Sequence, residues 1–548
     1  MRTTMKKAIS HLKLFLAPLA ALAFATACHA SSPGITGPSF SLVAGPAYIS
    51  QPDGASVYSW GYGCNGAPSG YAPAAITVAS CGAMQVPGPT LIVTEGQSVS
   101  ITLTNNLPQA AGNTSILFPG FTVTTDCGTS GAASVQGLLT CEAVPGKTVT
   151  YTFTAASPGT RAYYSGTQGD LQIEMGMYGA IIVLPKTIPT ACTSGLRAAN
   201  LRVEKNFGES DFRLAAAAYN NANACYDREY LFQFSEMDPK VHTQALAQST
   251  LACVGCMSVQ TEPYHPSYFM INGRSMPDDM DPNYASQYPH QPYNGDPHMH
   301  PGELVLLRII GQGRWQHPFH EHGNHVRILG RDGNLLLSQT DSSQLSGPLL
   351  FTTTTTPGLA MDGIFYWTGK GLNWDAYGHH PGSSDPSATL SCVADANGYN
   401  TGTTTAEGQI NYYEWCQDHN KPMQALPFGD VAGGGPMTLP DPTLFTNGPW
   451  YGGSPYLGPD ATVRATGCYN YTDPTTGTVT QTNAGNCGAT GTTPPSGTIA
   501  NNPSSEAGFA FMWHSHNERE ITTNNIFPGG MLMMMLVDSR EFQIDETN

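Results

Sequence analysis

Two distant stretches obey one rule. In PTLIVTEGQSVSITLTNNLP (89–108), Leu91 and Val93 alternate with polar neighbours, Glu95-Gly96-Gln97 turns the chain, and Val99, Ile101 and Leu103 alternate again. PGELVLLRIIG (301–311) repeats the same turn-then-strand unit. A period of two points successive side chains to opposite faces, so each stretch buries one face and must lie in a layered sheet. GKTVTYTFTAASPGTRAYYSG (146–166) continues the first series through Val149, Tyr151 and Phe153, and MGMYGAIIVLP (175–185) reads as its buried last strand. A second series runs from REYLFQFSEMDP near 227 through YFMINGR, NHVRILGRDG (324–333) and GIFYWTG (363–369) to GFAFMWHSH and GGMLMMMLV. The repeated unit predicts an all-β chain of two related β-sandwich domains. Between about 370 and 505, Gly, Thr, Pro and Asn dominate and four cysteines occur, which predicts long disulfide-pinned loops on the second domain.

Composition narrows the function. Only 11% of the 548 residues are charged, and the formal net charge is −17. The 23 Lys and Arg residues form no basic run, so nothing would engage phosphates and nucleic-acid binding is excluded. The first 30 residues read as an export signal: Arg2, Lys6 and Lys7 precede the apolar LFLAPLAALAFATA (14–27), which is too short to span a bilayer. Cleavage after Ala30 releases a soluble protein, whereas cleavage before Cys28 leaves a lipid anchor there. The first is preferred, because Ala25 is a weak start for a lipoprotein signal. No later stretch is a transmembrane candidate. The expected location is the periplasm, the cell surface or the extracellular space.

Setting Cys28 aside leaves 12 of the 13 cysteines, an even number that, with export, predicts disulfides. Sequence neighbours suggest Cys64 with Cys81, Cys127 with Cys141, Cys192 with Cys225, Cys253 with Cys256, Cys392 with Cys416 and Cys468 with Cys487, although connectivity is not fixed by sequence. Cys253-Val-Gly-Cys256 has two further readings, a redox pair or half a zinc site. Met257 follows it, which excludes c-type haem attachment.

Histidines carry the chemistry. HPFHEHGNHVRILG (317–330) and WHSHNEREITTNNIFPGGMLMMML (513–536) resemble two copper motifs of the multicopper oxidase family, the second being its closing His-Cys-His motif. PGPTLIVTEGQSVSITLTNNLP resembles that family's opening strands, and SPGTRAYYSGTQGDLQIEMGMYGAIIVLP the end of its first domain. The resemblance spans about 85–186 and 227–540. It implies cupredoxin-like (plastocyanin-like) Greek-key sandwiches, a type 1 copper that accepts electrons, and a three-copper cluster held by eight histidines. The layout implied is a signal peptide (1–30), an N-terminal extension (31–84), cupredoxin-like domain 1 (85–190), a linker (191–226) and cupredoxin-like domain 2 (227–548) carrying the insertion.

The resemblance breaks at the ligands. SILFPG (115–120) puts Leu117 and Pro119, and YYSG (163–166) puts Tyr164 and Gly166, where the family has four first-domain histidines. At the type 1 position His317 is kept, but Ser515 replaces the thiolate and Glu520 replaces the second histidine; Met531 or a neighbour stands at the axial place. A serine hydroxyl cannot make the soft Cu–thiolate bond of a blue centre. His320, His322, His514 and His516 remain. Each pair has i, i+2 spacing, which puts both imidazoles on one strand face. Four nitrogen donors suit one Cu(II) ion, and also Zn(II) or Ni(II).

Other titratable groups have milder readings. Glu518, Glu520, Glu321 and His317 would form either a harder second metal site, or a hydrogen-bonded support or a salt bridge with Arg519. His298 and His300 in DPHMHPGE, again at strand spacing with a Met between, read as an exposed strand entry in preference to a copper-capturing pair; His290 and the neighbours His379 and His380 are loop histidines with no clear partner, and MLMMMLV reads as core. Three functions stay open at this point: an exported protein binding one copper without four-electron dioxygen reduction, a copper oxidoreductase using that reduced site, and a non-catalytic surface or assembly protein. The redox or surface partner and any homo-oligomer are left open; first-domain ligands missing from one chain would be missing from an identical neighbour too.

Overall fold

The structure, a computed structural model, describes residues 32–128, 133–194, 210–300, 302–368 and 508–538, with short pieces at 396, 399–400, 414–415, 469–472, 479–482 and 544. The signal segment, Cys28, His379 and His380 lie outside the described residues, as does most of the 370–505 insertion. So do all four cysteines of that insertion, Cys392, Cys416, Cys468 and Cys487. The bridges expected there, Cys392 to Cys416 and Cys468 to Cys487, therefore remain expectations from the sequence.

The alternating stretches form two-layered sandwiches. In Thr148–Thr154 every second side chain, Val149, Tyr151 and Phe153, faces inward opposite Leu103, Ile101 and Val99 of Ser98–Asn105. The turn at 95–97 does not close a hairpin. It carries the chain from Leu91–Thr94 in one sheet to Ser98–Asn105 in the other, and Gly96 supplies the positive φ of 84° it needs. The two sheets share a core that includes Trp60, Leu91, Ile101, Tyr151 and Ile181.

The described residues of the expected 31–84 extension, from 32 on, are not separate from the first sandwich. Leu42–Ser50 of the strand Ser39–Ser50 pairs antiparallel with Ser56–Cys64, and Ser39–Ala44 pairs parallel with the strand Ser98–Asn105 in the same sheet. Gly45-Pro46 breaks the alternation and hides the strand from sequence. The sheet accepts Pro46 because pairing with Ser98–Asn105 ends at Ala44, so the missing N–H falls on an edge. The described part of the 191–226 segment is packed rather than free: Tyr219 is buried, and its hydroxyl donates to Asp362 at 2.6 Å.

In the second sandwich one sheet runs Tyr268–Ile271, Arg228–Met237, Leu304–Gly311, Ala360–Tyr366, Val326–Arg331. The facing sheet runs His298–Met299, Leu532–Asp538, Gly508–Ser515, Pro318–Glu321, Thr352–Thr354. Phe232, Phe234, Phe319, Trp513, Met533 and Met535 fill the space between, so the methionine run is core. Four disulfides form among the described residues: Cys64–Cys81, Cys127–Cys141, Cys192–Cys225 and Cys253–Cys256. No helix among the described residues is long and apolar enough to cross a membrane.

Candidate metal centre

Pairing of Pro318–Glu321 with Gly508–Ser515 sets His320 directly opposite His514. With i, i+2 spacing on both strands, that register gathers His320, His322, His514 and His516 on one face of the pair. Ring centroids lie 4.8 Å apart for His320–His322, 4.9 Å for His320–His516, 5.1 Å for His322–His514 and 5.6 Å for His320–His514. His320, His322 and His514 are buried, and His516 is exposed. His320 Nδ1 meets Thr352 Oγ1 at 2.9 Å. His514 Nδ1 donates to the Ser515 carbonyl at 2.7 Å, which places its lone pair on Nε2. That nitrogen faces His322 Nε2 at 3.2 Å. Two nitrogens bound to one ion at about 2.0–2.1 Å stand roughly this far apart. Among the described residues, however, no three His, Cys, Asp or Glu side chains already converge on one coordination point. The imidazoles are gathered, and side-chain rotation would have to complete the set. Burial, then the neighbouring His514 and His516, lowers His320 to about 4. Burial, aided by His516, lowers His514. Both therefore stay neutral near pH 7, the form that can ligate a metal.

The type 1 position is filled by a different structure. His317 Nδ1 lies 2.9 Å from Glu520 Oε2, and its Nε2 lies 2.9 Å from Glu236 Oε2. Ser515 Oγ also donates to Glu520 Oε2, and Asn517 Nδ2 donates to Oε1 at 2.9 Å. Glu236 Oε1 accepts the backbone N–H of Arg314 at 2.6 Å and of Trp315 at 2.9 Å. Gly313 makes this wrap possible, with φ of 67° and a Cα that leaves no room for a Cβ beside Glu236 Oε2. Burial alone would lower His317, but the hydrogen bonds and charges of Glu236 and Glu520 outweigh it and raise it to about 9. The group is a buried imidazolium between two carboxylates.

The two carboxylates occupy opposite ring nitrogens, so His317, Glu236 and Glu520 cannot close on one ion. Glu321 points into the core beside Thr353, whose hydroxyl it accepts, and burial raises it to about 8. Arg519 donates to the Pro266 carbonyl at 3.2 Å. Met531 is buried in the core, and its backbone bridges Ser515 and Glu520. His298 and His300 are buried rather than an exposed strand entry, His298 lies 3.4 Å from Asp296, and His290 lies 2.9 Å from the Met84 carbonyl. Sequence reasoning missed Glu236, which shares its strand Arg228–Met237 with Arg228, Glu229, Gln233 and Ser235 and so does not stand out there.

Neither a blue copper nor a three-copper cluster fits these residues. Both nitrogens of His317 are occupied, and position 515 offers only a hydroxyl. Three of the four first-domain positions lie together without a metal-binding side chain: Leu117 N–H donates to the Tyr164 carbonyl at 2.7 Å, and a Cβ on Gly166 would sit 2.8 Å from Leu117 Cγ. We expect Ser515→Cys with added copper to remain free of the intense thiolate–copper absorption, because Glu520 and Glu236 still hold His317. An absorption spectrum checks this, and a strong blue band would contradict it.

Residues 74–188 match the family model for multicopper oxidase. The chain is 36% identical over 99 residues to an L-ascorbate oxidase of Brassica rapa subsp. pekinensis, covering 18% of this chain and 16% of that protein. It is also 36% identical over 97 residues to laccase-3 of Botryotinia fuckeliana, covering 18% and 20%. The chain thus spans a fifth or less of the length of these curated relatives. A blue copper oxidase from Nitrosomonas europaea is similar in structure at a TM-score of 0.41 and 15% identity, over 91% of this chain and 85% of that one. Over residues 74–188, then, the chain is similar to the multicopper oxidase family.

Proposed function

We propose that this is an exported, multicopper-oxidase-like protein that holds one metal ion, copper in preference to other divalent transition metals, among His320, His322, His514 and His516. We further propose that it does not reduce dioxygen by four electrons. The observation that carries the reading is the His320–His514 register with His514 and His322 nitrogens 3.2 Å apart. Copper there would supply a redox-active Lewis acid with nitrogen donors. The chain's own part is to orient His514 through the Ser515 carbonyl, to keep three rings out of water, and to leave His516 at the surface as the point of entry. The Glu236–His317–Glu520 group would hold a proton where a type 1 copper would sit. Residues 1–30 support export to the periplasm, cell surface or medium, and the family match supports copper over zinc or nickel.

The exposure of His516 favours one second reading, an oxidoreductase whose substrate meets the metal directly. Oxygen uptake by copper-loaded protein with a phenolic reductant separates the two. We expect no uptake above that of a His514→Ala/His516→Ala control. Uptake that the control abolishes would establish the oxidoreductase instead.

A further inference from the structure

Cys253–Cys256 differs from every other disulfide among the described residues. Cys64, Cys141, Cys192 and Cys225 are buried, so each of the other three bridges has at least one shielded sulfur. Cys253 and Cys256 are both exposed, as is the whole run 251–256. Their separation is 3 residues, against 14, 17 and 33 for the others. A bridge across so short a loop removes the least entropy from the unfolded chain and therefore stabilises least.

The segment around it is held by other means. The helix Pro239–Gln248 presents two glutamines to the returning chain. Gln248 donates to the Ser258 carbonyl at 2.9 Å and accepts the Ser258 N–H at 2.8 Å. Gln244 donates to the Gln260 carbonyl at 3.3 Å and accepts the Gln260 N–H at 3.0 Å. Gly255 N–H and Met257 N–H donate to the carbonyls of Gln109 and Ala110, each at 2.9 Å. These bonds fix the chain on both sides of the sulfurs whether or not the sulfurs are joined. Thiol access and structural redundancy coincide at this one bridge.

We propose that Cys253–Cys256 is a redox-active disulfide that exchanges with an external dithiol, separately from the histidine cluster. A thiolate of the dithiol attacks one exposed Sγ. The Cys253–Cys256 bond breaks, a mixed disulfide forms, and the departing cysteine takes up a proton. The second thiol of the reagent then closes on the first, releasing the other cysteine. Two electrons and two protons pass to the pair, and the dithiol leaves as its disulfide.

The test is differential alkylation with peptide mapping of the native, full-length protein across a dithiothreitol series, with reduced thioredoxin in a second arm. The 253–256 peptide should open at a concentration at least 10-fold below that needed for 64–81, 127–141 or 192–225. Far-UV circular dichroism should not change as it does so. Faster opening per thiol by thioredoxin would assign a protein dithiol as the source, and equal rates a small one. A Cys253→Ser/Cys256→Ser variant should keep its melting temperature within a few degrees and show no early-labelled peptide. Opening together with or after the other bridges, or loss of folded signal on opening or in the variant, would overturn the proposal and make the bridge a structural staple.

Discussion

Glu236→Ala should lower the unfolding free energy by about 3–5 kcal/mol, the cost of breaking a buried ion pair from one side. The substitution strips His317 of one carboxylate and leaves the Arg314 and Trp315 N–H groups without their acceptor. Glu236→Gln keeps the volume and one acceptor oxygen, so its loss should be smaller, about 1–3 kcal/mol. Urea denaturation with an unchanged slope measures both. Equal losses for Ala and Gln would show that shape, rather than charge, holds the position.

Rising pH should weaken the same group. His317 is raised from its ordinary 6.5 to about 9 in the folded chain. A raised folded value means that the stabilisation is complete below the unfolded value, near 6.5, and is lost as pH climbs through about 9. The size is on the order of 3 kcal/mol, because each tenfold change in proton affinity is about 1.4 kcal/mol and the group is fully buried. Urea midpoints should therefore fall from about pH 7 to pH 10, and His317→Gln should flatten that slope. A flat profile in the parent chain would mean that His317 is neutral between its two carboxylates.

How legible this was in sequence depended on the range of the interaction. Period-two alternation exposed the strands built on Val99–Leu103 and Val149–Phe153, because each buries its own face without help from afar. It failed for Ser39–Ser50, where Pro46 interrupts the pattern and only the edge position explains why a strand survives. The histidine cluster was visible because i, i+2 spacing is local and the resemblance supplied the pairing of the two strands. Glu236 was not, because its partner His317 lies 81 residues away and no short-range pattern joins them. Substitution of the thiolate by Ser515 announced a lost copper. That an imidazolium held by two carboxylates takes its place follows only from the folded geometry.

Metal content tests the central claim most directly. Protein purified from its native compartment, and after copper addition, should carry one copper per chain by mass spectrometry, and His514→Ala/His516→Ala should carry none while remaining folded. An unmetallated parent chain that takes up no copper, or a variant that binds as much as the parent, would contradict a four-histidine centre.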